Sequence, residues 1–270
     1  MNFVDIEKNP EKQQINLLRE EGQIFEFYLD QKKIWGSGNG LHAALITNAD
    51  KPSVHFVEKC TEKHITPVPT FVKIVGRTFS LQDIWISDEQ ADALKAYFVK
   101  YEDEIRTLIL ERNGLKDASL AKILNGLKGK KIEKISLFGN QIGLESLTAL
   151  ANFFNFDLKS LEMADIKFGN KVLERYGINF VPLSRLRSLN LSGINMHLKA
   201  TFQHFKTFIE TDNLFLRELS LTWAYLTEKQ LIEIVQSIND NKRTLTSLNL
   251  SFNSSQSSKV TKSLKDANTH

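Results

Sequence analysis

The sequence predicts an α/β solenoid of six to seven strand–helix units, preceded by a small α+β cap. Three observations predict it. Apolar residues recur at offsets 0, +3, +5 and +10 through most of the 270 residues, and self-similarity at a fixed period is the mark of a stacked repeat architecture. Within each copy the +3 and +5 residues lie two apart, which puts both on one face of a short strand. The rest of each copy changes to three-to-four spacing, which gives a helix one inward stripe. A composition of 41% hydrophobic and 25% charged residues can build such a core and excludes a disordered or fibrous chain.

The cap comes first. Four of the five prolines (Pro10, Pro52, Pro67, Pro69) lie in the first seventy residues, which carry 8 basic and 10 acidic groups, a net −2. Asn9-Pro10 followed by Ile15, Leu17, Leu18 and Gly22 reads as a short helix with its start and stop signals. Ile24–Leu29 and residues 33–35 flank a polar turn at Asp30-Gln31 and predict a hairpin. Residues 43–47 and 54–57 are two more short apolar runs, the first readable as helix or strand. Pro67 and Pro69 punctuate the boundary. A unit of about seventy residues is marginal alone, so it is expected to lean on the first repeat and shield its edge.

The repeats follow. Ile105, Leu108, Leu110, Asn113 and Leu115 make one copy. Ile132, Ile135, Leu137, Asn140 and Ile142 make the next, then Leu158, Leu161, Met163, Ile166 and Phe168. After these come Leu186, Leu189, Leu191, Ile194 and Met196, then Leu216, Leu219, Leu221, Ala224 and Leu226, then Leu245, Leu248, Leu250 and Asn253. Start-to-start spacings are 27, 26, 28, 30 and 29 residues, and a further 29 back from Ile105 lies a degenerate copy at Gly76 with Phe79, Leu81, Ile84 and Ile86. Helical stripes follow the strands at Leu120, Leu124, Leu127; Leu147, Leu150, Phe154; Phe202, Phe205, Ile209; and Leu231, Val235, Ile238. No single unit covers its own apolar face, but stacked copies share one core. The last residues, 254–270, are rich in Ser, Thr and Lys and read as a final half-helix or a loose tail.

The register Leu-x-x-Leu-x-Leu-x-x-Asn-x-Leu in units of 26–30 residues resembles the leucine-rich repeat family, in its long, helix-containing ribonuclease-inhibitor-like subtype. The resemblance spans residues 76–253. It implies a horseshoe with parallel strands inside and helices outside. The chain departs from the family at the asparagine step, where only Asn113, Asn140 and Asn253 are present and Ile84, Ile166, Ile194 and Ala224 stand elsewhere. An isoleucine there leaves turn backbone groups to pair otherwise, so an irregular middle is expected, with a stretched unit around residues 176–182. The division is then a cap over residues 1–70, a repeat array over 71–253 and a tail or cap helix over 254–270.

Charge excludes little by itself. The 35 basic and 32 acidic residues differ by only +3, far from what phosphate tracking requires. The single cysteine, Cys60, excludes an internal disulfide framework and a thiolate-rich zinc site. The opening residues carry acids where a secretory signal needs an apolar run, and no run of about 18 apolar residues occurs. The expectation is a soluble protein of a reducing cytoplasm, with no membrane span.

Candidates for chemistry are weak. Gly36, Gly38 and Gly40 form a loop that resembles a phosphate cradle, but Leu41 stands where a third fingerprint glycine would fall and no Lys-Ser/Thr follows. Cys60 and His64 lie four apart, with His42 and His55 upstream; a zinc site wants three or four ligands and a thiol nucleophile wants a base and an orienting group. A turn and a buried small hydrophobe are the bland alternatives. No catalytic residue, metal or cofactor is assigned.

The strand residues between the buried leucines are more informative, because successive side chains alternate faces. The projected strip carries mixed charge, among it Arg106, Glu111, Glu133, Lys134, Lys159, Arg187 and Glu218, which suits a protein better than a nucleic acid. Ile109, Phe138, Trp223 and Phe252 are apolar where a purely structural strip would carry Ser or Thr. Packing against the next unit's loop is the alternative for Trp223 and Phe252. With Arg112, Glu162 and Arg217 as charged contacts, these seven form the expected partner-binding set. The expected function is a non-enzymatic, monomeric module that binds a protein on its concave strand face. The Lys/Asn/Ile/Phe-rich flavour resembles leucine-rich-repeat effectors that intracellular bacteria inject into host cells, and also cytosolic adaptors of AT-rich protists. The rivals are an enzyme working through Cys60/His64 or the glycine loop, and a structural subunit of a larger assembly.

Overall fold

In the computed structural model the described residues are 13–18 and 24–29 as backbone, then 56, 59, 60, 62–65, 74–101, 104–154, 158–168, 185–211, 215–241 and 245–253. The glycine loop at 36–40, His42, His55, residues 176–182 and the 254–270 tail lie outside them.

Two strands, β1 (Gln13–Leu18) and β2 (Ile24–Leu29), pair antiparallel with Ile15 opposite Phe27 and Leu17 opposite Phe25. This corrects the helix expected after Pro10. The apolar residues Ile15 and Leu17 lie two apart, a strand period, and β2 is the partner that this period needs. The turn expected at Asp30-Gln31 and its second strand at 33–35 lie outside the described residues.

The main sheet begins with a hairpin, β3 (Ile74–Val75) and β4 (Thr78–Gln82), antiparallel to each other. From β4 onward every neighbour is parallel: β5 (Thr107–Glu111), β6 (Lys134–Ser136), β8 (Ser160–Glu162), β10 (Ser188–Asn190), β11 (Glu218–Ser220) and β12 (Ser247–Asn249). The chain thus builds a parallel sheet of seven strands in sequence order, with β3 added at one edge. One ladder, Phe79, Leu108, Ile135, Leu161, Leu189, Leu219 and Leu248, runs through all seven in register. These are the +3 residues of the sequence register, Gly76 copy included. A smaller parallel pair, β7 (Gln141–Ile142) with β9 (Lys167–Phe168), lies beyond the strands.

Among the described residues five helices of seven or more residues alternate with the strands: α1 (Asp88–Lys100), α2 (Asp117–Gly126), α3 (Leu144–Leu150), α4 (Lys199–Ile209) and α5 (Glu228–Asn241). Their apolar stripes and the +3 and +5 strand residues lie in one continuous core. Strand alternation is plain in β5, where Leu108 and Leu110 are buried while Thr107, Ile109 and Glu111 are only half-covered. One sheet face therefore belongs to the core, and the other is left open by the helices. Phe56 and Cys60 join this core beside the first unit, with the Phe56 ring edge-on to Tyr97 at 6.5 Å.

Two helices start with the same device at the same offset. Ser87 and Gln90 cap each other's backbone amides at α1, and Thr227 and Gln230 do so at α5. Each is a capping box that satisfies two otherwise orphaned amides.

Candidate protein interface

The asparagine step sets how one unit holds the next. Asn140 donates from Nδ2 to the Leu110, Leu137 and Phe138 carbonyls at 2.6, 2.9 and 3.3 Å, and its Oδ1 accepts from the Asn113 and Leu115 amides at 3.2 and 3.1 Å. Asn113 bonds back in the same way to Leu81 O and Ile84 N, and Asn253 to Leu221 O and Leu226 N. Each asparagine thus serves the turn of the preceding unit. The turns at Ile84 and Ala224 are thus served by Asn113 and Asn253 of the units that follow them. In the Ile194 unit, the Met196 amide bonds to the Ala224 carbonyl instead, at 2.9 Å.

The residue before this step is a backbone outlier throughout. Offset +7 has positive φ in all seven units: Asp83 57°, Arg112 51°, Gly139 70°, Asp165 50°, Gly193 77°, Trp223 54° and Phe252 60°. The chain leaves each strand by a left-handed turn, so that its amide can bond to the next unit, as Arg112 N does to Phe138 O at 2.8 Å. Glycine takes this conformation freely and Asp tolerates it, but bulky side chains are genuine outliers there. Tyr225 is a further left-handed residue, at 56°. Unit six therefore places two large aromatics in left-handed backbone on either side of the buried Ala224.

These aromatics are not core. Trp223, Tyr225 and Phe252 are 59, 64 and 67% exposed. Trp223 and Phe252 occupy one offset on adjacent parallel strands, so their rings are held about one strand spacing apart. They stack with centroids 4.9 Å apart and planes 7° from parallel. Trp223 thus does pack against the next unit's turn, on Phe252, while both rings keep more than half of their surface exposed.

The seven expected contact residues divide among three columns. Arg217 lies at the edge where strands begin. Ile109 and Glu162 lie on the open sheet face, both half-buried. Phe138, Arg112, Trp223 and Phe252 line the edge where strands end. The structure brings Arg112 and Phe138 together, with the guanidinium 5.3 Å above the ring, and turns Arg112 to a forked pair with Asp83 at 2.5 and 2.8 Å. Asp83 is held below the ordinary carboxylate range by the Arg112 hydrogen bond, the largest influence on it. Arg112 is thereby engaged within the chain.

Electrostatics also differ along the strand-entry edge. Glu104 bridges Arg77 and Arg106, and Glu133 bridges Arg106 and Lys159, so a continuous ion ladder crosses the first units. Lys159 first, then Arg106, keep the Glu133 carboxyl below its ordinary value. The ladder then ends. Among the described residues neither Arg187 nor Arg217 has an ion pair or side-chain hydrogen bond, and both are exposed. On the open face between the edges, Ser136 bonds to Glu111 at 2.5 Å and Asn190 to Glu162 at 2.7 Å. Burial, seconded by nearby Glu111, raises the Glu162 carboxyl above its ordinary range despite Asn190 and Lys134. From β10 to β12 the face is hydroxyl and amide apart from Glu218, with Ser192 and Ser220 in contact at 2.8 Å.

The sequence-derived chemistry finds little geometry. Cys60 is fully buried and burial pushes its thiol up to about 12, so the thiolate that nucleophilic or metal chemistry needs is not formed near neutral pH. His64 is exposed on a left-handed turn at φ 55°. No group of three or more His, Cys, Asp or Glu side chains gathers for a metal among the described residues. No helix among them is long and apolar enough to cross a membrane. The backbone signal at offset +7 and the break in the ion ladder were missed from sequence; the +1 column of Arg, Glu, Lys, Arg, Arg would have shown the latter.

No protein-family model matches the chain, and no curated protein matches it. Among solved structures it is similar to a tropomodulin C-terminal domain from Caenorhabditis elegans, at 11% identity and a TM-score of 0.35, covering 66% of this chain and 90% of that one. A likeness at that level has no bearing on what either protein binds.

Proposed function

We propose that the chain is a non-enzymatic protein-interaction module of the leucine-rich repeat type, a curved array over residues 71–253 with a cap at 1–70, which binds a protein partner across its open strand face. One observation carries this reading. Three large aromatics stand exposed at the strand-exit edge of the last two units, held in left-handed backbone that costs roughly 1–2 kcal/mol per bulky residue. At the offset of Trp223 and Phe252 folding alone would be served better by the glycine found there in two other units, Gly139 and Gly193. A rigid, exposed Trp–Phe stack is the kind of anchor that dominates protein interfaces.

Site-specific photocrosslinking tests the reading in the cell or lysate where the protein is expressed. A benzophenone side chain at position 252 should trap a protein partner, and one at exposed Lys229 on α5 should not. Crosslinks from position 229 alone would refute binding on the strand face. Injection into a host cell and a cytoplasmic site of action are further parts of the proposal; fractionation of the producing cell and its medium tests them.

A further inference from the structure

The two halves of the strand face differ in how far they satisfy themselves. In the first units the ion ladder from Arg77 to Lys159 engages the charges at the strand-entry edge and Arg112, forked onto Asp83, covers the Phe138 ring, so that Trp85 is the exposed aromatic there. In the last units Arg187 and Arg217, at the starts of neighbouring strands, point no donor at any acceptor among the described residues, while Trp223, Tyr225 and Phe252 stay exposed. Adjacent parallel strands put the two arginines about 5 Å apart at equal offset. Exposed Arg185, which has a partner of its own, lies two residues before Arg187, and among the described residues exposed Glu218 follows Arg217 at this edge. Two positive charges at this spacing repel unless an anion lies between or over them, and a planar guanidinium pairs best with carboxylates.

We infer that the partner presents an extended acidic segment which crosses β10–β12, with carboxylates on Arg187 and Arg217 and an apolar side chain on the Trp223–Phe252 stack. Six residues separate offsets +1 and +7, so the two anchor points lie at most about 20 Å apart. An extended peptide spans that with about six residues. Between the anchors Asn190, Ser192, Ser220 and Thr222 form an uncharged stretch whose groups bond to one another, with Glu162 beside Asn190 and Glu218 at its entry edge. This inference rests on the strand-face reading and adds the sign of the partner's charge and its direction.

The test uses the full chain and labelled synthetic peptides carrying a Glu-Asp cluster, a neutral spacer of about six residues and a terminal Trp-Leu, with a Lys-Arg counterpart as control. Fluorescence anisotropy should show binding of the acidic peptide and none of the basic one. The double variant R187E/R217E should weaken it at least about tenfold, as should W223A/F252A, and raising salt from about 0.05 to 0.3 M should weaken wild type far more than R187E/R217E. Thermal melting of both variants verifies that they fold. No binding by the acidic peptide, equal binding by the basic one, or unchanged affinity in R187E/R217E overturns the inference. So does a single-stranded RNA oligonucleotide that binds as well and loses its affinity in the same variants. If crosslinking from position 252 persists while the arginine variant changes nothing, the strand-face reading stands and the acidic partner falls.

Discussion

Asp117, in the first turn of α2, accepts hydrogen bonds from both the amide and the hydroxyl of Ser146, at 2.8 and 2.6 Å, and so caps the helix that follows its own. The Gly143 amide joins them at 2.8 Å. One unit earlier, Ser119 donates to Asp88 in the same relation. Helix N-termini orphan their first amides and favour negative charge, and here the carboxylate comes from the neighbouring unit. Stacking and capping are therefore one interaction.

Asp117→Ala should cost about 1–2 kcal/mol or more, since it strips several donors at once. Asp117→Asn should cost less. A double-mutant cycle with Ser146→Ala, read by urea denaturation, should show a coupling above about 0.5 kcal/mol; additive effects would show that the cap does not act between units.

Asn140 is the most connected of the three ladder asparagines and is buried. Asn140→Ala leaves two amides and three carbonyls to find other partners, and should destabilise by about 2–4 kcal/mol. Asn253→Ala, at a half-buried position, should cost clearly less. Equal costs for the two would count against burial as the deciding factor.

Trp223→Gly should change stability by no more than about 1 kcal/mol, because relief of left-handed strain offsets the lost stack and the flexibility of glycine. A core tryptophan truncated in this way would cost about 3–5 kcal/mol. Calorimetry separates the two, and a large loss would show that the ring supports the fold.

Glu162 and Glu133 should respond to pH with opposite signs. A carboxyl raised in the folded state contributes stability that is present below its unfolded pKa and lost as pH rises through the folded one. Glu162→Gln should therefore stabilise at neutral pH, within about 1 kcal/mol, and the gain should vanish below the ordinary carboxylate range. Glu133, held low by Lys159 and Arg106, contributes above its unfolded pKa and loses that contribution as pH falls, so Glu133→Gln should destabilise only at the higher pH. Melting curves at both pH values check the pair.

Cys60 should resist iodoacetamide in the native protein and react readily once unfolded, since its thiol is buried and pushed to about 12. Rapid native labelling would reopen the thiol as a reactive group.

The strand ladder was legible in the sequence because its signal is redundant. Phe79, Leu108, Ile135, Leu161, Leu189, Leu219 and Leu248 repeat one burial requirement, and even the degenerate copy at Gly76 carries it. The helix expected before Gly22 failed because a short apolar run with a proline signal obeys either period, and only pairing with Ile24–Leu29 decides for strand.

Amino-acid order alone determined which residues turn inward and how far apart the units start, because hydrophobic burial acts on the local pattern that each unit repeats. Tertiary structure alone decided what the variable positions do. Arg112 and Arg217 look alike as exposed strand-edge arginines, yet one forks onto Asp83 from the preceding unit and the other meets no acceptor among the described residues. Trp223 and Phe252 lie 29 residues apart in the chain and 4.9 Å apart in space. Both differences arise from stacking, which brings equal offsets of successive units to one strand spacing, and no pattern within a single unit contains that neighbour.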